Sequence, residues 1–145
     1  MNNRGSILLN LLVAVLAIIV VVTLTLPFIR NYRINSELSS QARELVNDLR
    51  YAQQLSVTEQ LVHGVKFDTE NNLYKTIKLT SPTTTLSSVS LGGKNSFKSL
   101  QGFSDTTVEF NFYGGVDEAG EIILENINNH EITVEIKPSG YVQIQ

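Results

Sequence analysis

At 145 residues the chain has room for one ordinary domain. Eleven Lys and Arg stand against 14 Asp and Glu, a formal net charge of −3, which disfavours non-specific nucleic-acid binding because that depends on basic surface to displace counterions. With no cysteine, disulfides and cysteine metal sites are excluded, and any head outside a membrane must be held by packing alone.

The first element is an apolar run. Arg4-Gly5-Ser6 is followed by Ile7 to Leu26, 20 residues with Asn10 as the one strongly polar side chain and Thr23 and Thr25 as milder ones. At about 1.5 Å per residue this run covers a hydrocarbon core of about 30 Å, which predicts a transmembrane helix. A secretory signal peptide has an apolar region of about 7 to 15 residues closed by a small-x-small site. Nothing like Ala-x-Ala closes this run, and Pro27, Phe28 and Ile29 lead instead to Arg30 and Arg33. Arg4 plus the terminal amine balance Arg30 and Arg33, so charge does not settle the topology.

Beyond Pro27 a helical stripe resumes with Ile34, Leu38, Ala42, Leu45, Leu49, Ala52 and Leu55, at spacings of three and four. The opposite face carries Glu37, Gln41, Arg43, Glu44, Asn47, Asp48, Arg50 and Gln54, which predicts a water-facing side and an apolar side covered by another element. A helix from residue 6 to about 60 would be roughly 80 Å long, more than twice the bilayer core. Pro27 falls at the junction, where its ring and missing donor predict a bend. The expected organisation is a transmembrane segment over 6–29 and an amphipathic continuation over 30–60.

From residue 61 to 145 the pattern becomes that of a β-rich head. Leu61 to Asp68 and Leu73 to Leu79 alternate around Thr69-Glu70-Asn71-Asn72 and read as a hairpin. Further strands are expected at Thr107 to Phe112, Glu121 to Leu124, Glu131 to Ile136 and Tyr141 to Ile144, separated by turns at Gly114-Gly115, Ala119-Gly120, Asn128-Asn129 and Pro138-Ser139-Gly140. Residues 80–104, rich in Ser, Thr and Gly, read as a long exposed loop carrying one weak strand. The expected fold is α+β: a long N-terminal helix whose second half is packed on a small antiparallel sheet, single or split in two.

The short basic stub ending in Arg4-Gly5, the apolar helix directly after it and its amphipathic continuation resemble the class III signal of type IV pilins and type II secretion pseudopilins. Ala42-Arg43-Glu44-Leu45-Val46-Asn47-Asp48-Leu49-Arg50-Tyr51-Ala52-Gln53 resembles the corresponding helix of the GspH/FimT group of minor pseudopilins and minor pilins. So do Val65-Lys66-Phe67-Asp68, Val108 to Phe112 before Gly114, Gly120 to Leu124, and Ile132 to Ile136 before Gly140-Tyr141-Val142, in that order. The resemblance implies a leader over 1–5, cut by a prepilin peptidase between Gly5 and Ser6, with N-methylation of Ser6. It also implies that Pro27 is the family's kink-forming proline. A single-pass subunit of the inner, cytoplasmic membrane would follow, its N-terminus cytoplasmic and its head periplasmic or extracellular.

Two positions depart from the family pattern. Ser6 stands where phenylalanine or methionine is usual, and Asn10 where the fifth mature residue is usually glutamate. That glutamate is thought to neutralise a neighbouring subunit's amine, and asparagine cannot do so. Asn10 therefore suggests a place such as a filament tip, where no earlier amine has to be met; the other reading is a hydrogen bond to a neighbouring helix in the membrane.

No nucleophile and base stand together. His63 lies in an alternating strand and His130 in a polar turn, and their separation has no ligand pattern, so both read as structural or surface residues. Asp117 and Glu118 are adjacent carboxylates in a glycine-containing loop, without the alternating spacing of a calcium loop. Leu91-Gly92-Gly93-Lys94-Asn95-Ser96 lacks the spacing of a phosphate-binding loop and reads as a turn. The last 20 residues hold one lysine, Lys137, beside Glu131 and Glu135, a poor phosphate-binding tail.

The resemblance implies a non-enzymatic minor pseudopilin of a type II secretion system, without cofactor or metal, assembling into or capping the pseudopilus that drives protein export. Its partners would be other pseudopilins or pilins, the prepilin peptidase, and membrane lipid before assembly. The alternatives are a minor type IV pilin acting in pilus assembly, adhesion or DNA uptake, and a plain signal-anchored extracytoplasmic binding module.

Overall fold

The computed structural model describes residues 4–145, and the side chains of 7–24 and 29–145. A single helix, α1 (Arg4–Glu59), is followed by eight strands: β1 (His63–Asp68), β2 (Leu73–Lys78), β3 (Thr84–Ser90), β4 (Asn95–Gln101), β5 (Thr107–Phe110), β6 (Gly120–Asn126), β7 (Glu131–Ile136) and β8 (Val142–Ile144). Two compact units meet in sequence at Ile34 and Asn35, so the second half of α1 belongs to the head.

In the first unit the large apolar side chains from Ile7 to Leu24 are all exposed. A helix apolar all round with no protein cover suits a non-aqueous surrounding. Among the described residues this is the helix long and apolar enough to cross a membrane. The bend expected at Pro27 depends on a side chain outside those described.

The second unit contains two antiparallel sheets of four strands, ordered β3-β2-β1-β5 and β4-β6-β7-β8. β1 and β2 form the expected hairpin, with Phe67 opposite Tyr74 and Val65 opposite Thr76. β6 and β7 form another, with Ile122 opposite Val134 and Leu124 opposite Ile132. Both sheets close on α1. Leu38, Ala42, Leu45, Leu49 and Ala52, all fully buried, share one core with Val65, Phe67, Tyr74, Val108 and Phe110 of the first sheet and with Phe97, Ile122, Leu124, Val134, Ile136 and Val142 of the second. Phe67 and Phe97 join the sheets directly, edge to face at 5.5 Å and 79°.

The stretch 80–104 corrects the sequence reading. In place of a loop with one weak strand it contributes two strands, and they belong to different sheets: β3 lies outermost in one and β4 outermost in the other. β3 is exposed almost throughout, so burial never imposed an alternation on its sequence. In β4 the register shifts between Phe97 and Ser99, which breaks the period of two. α1 ends one residue before Gln60, whose φ of +54° turns the chain toward β1.

The shared core sets an expectation for stability. Leu45→Ala should cost about 2–5 kcal/mol through the cavity it leaves. Leu86→Ala on exposed β3 should stay within about 0.5 kcal/mol. Urea unfolding of the full chain in detergent micelles, followed by tyrosine fluorescence, compares the two; equal losses would contradict the burial pattern.

Candidate functional site

The features through which this molecule can act are a surface and a segment. Polar ties seat the head on α1 as well as the apolar stripe, and five of them are spread along the helix from Asn35 to Gln53. Asn126 Nδ2 donates to Asn35 Oδ1 at 2.9 Å, Asn95 Nδ2 to Gln41 Oε1 at 2.8 Å, and the Tyr74 hydroxyl to Asp48 Oδ2 at 2.7 Å. Arg50 Nη2 donates to the Val142 carbonyl at 2.8 Å, and Gln53 Nε2 to the Gly114 carbonyl at 2.7 Å. Burial and the neighbouring Asp48 carboxylate push the Tyr74 phenol well above its ordinary pKa, so it remains a donor. The sequence assigns Gln41, Asp48 and Arg50 to a water-facing side; they flank the apolar stripe and reach back onto the sheets. Sequence reasoning also passes over Asn35 and Gln53, because a helical wheel cannot show which flanking polar residue finds a carbonyl or carboxamide far along the chain.

At one of these ties, that of Gln53 to Gly114, backbone comes unusually close. Gly140 has φ of +78°, and a Cβ there would lie 1.9 Å from the Gly114 carbonyl oxygen and 2.5 Å from Gln53 Nε2. The turn after β7 can meet the loop after β5 only because this residue has no side chain. Asn126 acts as a hub: its Oδ1 accepts from the backbone of Asn128 at 2.9 Å and of His130 at 3.1 Å while its amide holds Asn35.

The expected processing and assembly residues lie in the first unit. Arg4, Gly5 and Ser6 are in the first turns of α1, and their side chains lie outside those described, as does that of Pro27. Asn10 is exposed amid Ile7, Leu8, Leu9, Leu11 and Leu12, and no hydrogen-bond partner for its carboxamide is found among the described residues. Thr23 satisfies its own hydroxyl on the Ile19 carbonyl at 2.7 Å, a bond that keeps a polar group silent in an apolar helix.

The other candidates scatter. His63 is fully buried at the start of β1, its Nδ1 3.1 Å from the Leu61 carbonyl and its backbone amide donating to Ser56 Oγ at 3.0 Å. His130 is exposed in the turn between β6 and β7. Glu118 accepts from the backbone and hydroxyl of Ser104 at 2.6 and 2.5 Å, and Asp117 beside it is exposed. Asp105, Glu109, Asp117 and Glu118 share one depression, yet among the described residues no three such groups converge on a metal position. Lys94 stands in the turn closed by Asn95 N donating to the Gly92 carbonyl at 2.8 Å.

No protein-family model matches the sequence, and no curated protein does. Solved structures match across most of the chain. The minor pseudopilin EpsH from the Type 2 Secretion System of Vibrio cholerae aligns with a TM-score of 0.66 at 12% identity, covering 75% of this chain and 96% of that one. The type IV minor pilin FimU of Pseudomonas aeruginosa strain PAO1 aligns with a TM-score of 0.64 at 16% identity, covering 77% of this chain and 90% of that one. The fold is therefore that of a pilin-like protein, a helix feeding an antiparallel head. Within that class it is the GspH/FimT-like form, in which two sheets share the helix.

One ion pair gives the head a pH dependence. Lys78 Nζ donates to Glu59 Oε2 at 2.5 Å, and this bond holds the Glu59 carboxyl below the usual carboxylate range. A depressed carboxyl adds stability that is full above the ordinary range near about 4.3 and is lost as pH falls through the folded value. Acid should therefore lower the unfolding midpoint, and Lys78→Met should make that fall shallower. Thermal melts from pH 7 to pH 3 in both proteins read it; parallel curves would contradict the pairing.

Proposed function

We propose that this chain is a non-enzymatic minor pseudopilin of a type II secretion system, assembling into or capping the pseudopilus that drives protein export. The observation that carries the reading is one helix serving two surroundings. Its first part is apolar on every side and uncovered, and its second part is the core of a GspH/FimT-like head. Lipid suits the first before assembly. In a filament, helices of neighbouring subunits replace that lipid, held by packing and a few polar contacts, since lipid already satisfies apolar surface.

In this reading residues 1–5 are a leader cut between Gly5 and Ser6 by a prepilin peptidase, and Ser6 is the N-methylated terminus. Segment 6–29 spans the inner membrane with its N-terminus cytoplasmic, 30–60 continues as the helical support, and the head of 61–145 stands outside the cytoplasm. Pro27 bends the helix between membrane and head. Asn10, for whose carboxamide no partner is found among the described residues, suits a subunit that need not neutralise an earlier subunit's amine. A second reading, a minor type IV pilin acting in pilus assembly or adhesion, is favoured by the likeness to FimU, whose TM-score is within 0.02 of that of EpsH. The acidic balance and the single lysine of the C-terminal tail weigh against the DNA-uptake version.

Co-expression with a prepilin peptidase tests the shared part of both readings. Intact mass should show loss of residues 1–5, with the mass of one added methyl, and Gly5→Ala should leave the chain uncut. An uncut wild-type chain would leave a signal-anchored binding module and overturn both. Export of a secreted protein against surface piliation, scored in a strain lacking the chain and restored by it, separates pseudopilin from pilin.

A further inference from the structure

Three connections of the head ring one open cleft of about 550 Å³: the turn between β1 and β2, the link from β3 to β4, and the turn between β6 and β7. Carboxamides dominate its lining, with Asn71, Asn72, Asn95, Asn126 and Asn129 all present. One basic and one acidic residue line it as well, Lys94 and Glu125, so their charges offset each other.

Several of these amides are pinned by bonds of their own. Asn71 donates from its backbone and from Nδ2 to the Asp68 carboxylate, at 3.0 and 2.8 Å. Asn72 Oδ1 accepts from the Phe97 backbone amide at 3.1 Å, and Asn126 is spent on its own turn and on Asn35. Those bonds leave over Asn72 Nδ2, the Asn129 carboxamide and the hydroxyl of Ser96, for which no partner is found among the described residues. Asn95 is 4% exposed and gives Nδ2 to Gln41 of α1, while its buried Oδ1 has no donor among the described residues. Such an orphan costs about 1–3 kcal/mol, which a donor supplied from the cleft would recover.

Fixed donors and acceptors, mixed together and without net charge, select a ligand. Glu125 disfavours an anion and Lys94 a cation. A sugar hydroxyl donates and accepts at once, as a carboxamide does, so neighbouring ring hydroxyls match this lining in both functions. Ile127, exposed at the rim, offers apolar contact to ring C–H groups. An extended peptide would instead take main-chain bonds along a free strand edge, and turns ring this cleft. Side chains already held by their own bonds lose little freedom on binding.

We infer that this cleft binds a neutral sugar chain, whose ring hydroxyls are met by the carboxamides of Asn72, Asn95 and Asn129 and by the Ser96 hydroxyl. Its volume falls within the range of about 300–1,000 Å³ usual for small-ligand sites. Filament assembly does not require such a site, so either can fail without the other.

The test titrates the full-length, 15N-labelled chain with chitotriose, cellotriose and maltotriose. Micelles of a phosphocholine detergent hold the chain, because a maltoside head would compete. The side-chain amide resonances of Asn72, Asn95 and Asn129 should move together and saturate with one or more of these sugars below about 10 mM. Asn129→Gly keeps the left-handed backbone, φ +57°, and removes only the carboxamide. It should weaken binding about fivefold, as should Ser96→Ala, with thermal midpoints unchanged. Asn128→Ala, in the same turn but outside the cleft, should leave affinity as it is. No shift with any of the sugars, shifts that spare these amides, affinity indifferent to both Asn129→Gly and Ser96→Ala, equal weakening by Asn128→Ala, or saturation by inorganic phosphate or a short polyglycine peptide in place of sugar would each overturn the inference.

Discussion

Everything in the head depends on one apolar stripe serving two sheets at once. Neither four-stranded sheet has an independent cover, and one face of each would be left wet without α1. Leu38, Leu45 and Leu49 supply the bulk, while Ala42 and Ala52 supply the places where backbone can come close. Burial of so many complete side chains, each contributing about 1.5–3 kcal/mol before entropy is counted, is what holds a chain with no disulfide. The helix is thus the common wall of the one core that both sheets share, and Phe67 against Phe97 closes the seam between the sheets.

That arrangement explains which parts of the fold could be read from the sequence. The stripe was legible because burial at spacings of three and four leaves no freedom in residue type. The hairpin of β1 and β2 and the strands β6 and β7 were legible because one of their faces meets the core and the other meets water. β3 was not, since a strand exposed on both faces obeys no alternation, and Ser and Thr suit a loop equally well. β4 was half hidden by its bulge. The flanking polar residues were misassigned for a related reason. Gln41 and Asp48 carry the chemistry of a solvated face, and only the paths of β2 and β4 bring Tyr74 and Asn95 within reach of them.

The candidate functional residues divide differently. An apolar run of membrane length is visible by composition alone, and Asn10 stands out within it by polarity. The carboxamide cleft was invisible. Asn71, Asn72, Asn95 and Asn129 each looked like an ordinary turn residue, and they lie in three separate stretches that only the topology draws together. A polar lining assembled from three stretches has no period to detect.

Five of the polar ties between α1 and the head bear on mechanics. They leave the helix at Asn35, Gln41, Asp48, Arg50 and Gln53, spread over about five turns, and end on both sheets or the loops beside them. A pull along the helix axis therefore loads them together, in shear, with the buried leucines resisting alongside. A pull across the axis would open them one after another from an end, as a zipper opens. The head is fastened in the way that resists sliding best, which suits an element carried lengthwise by the helix it grips.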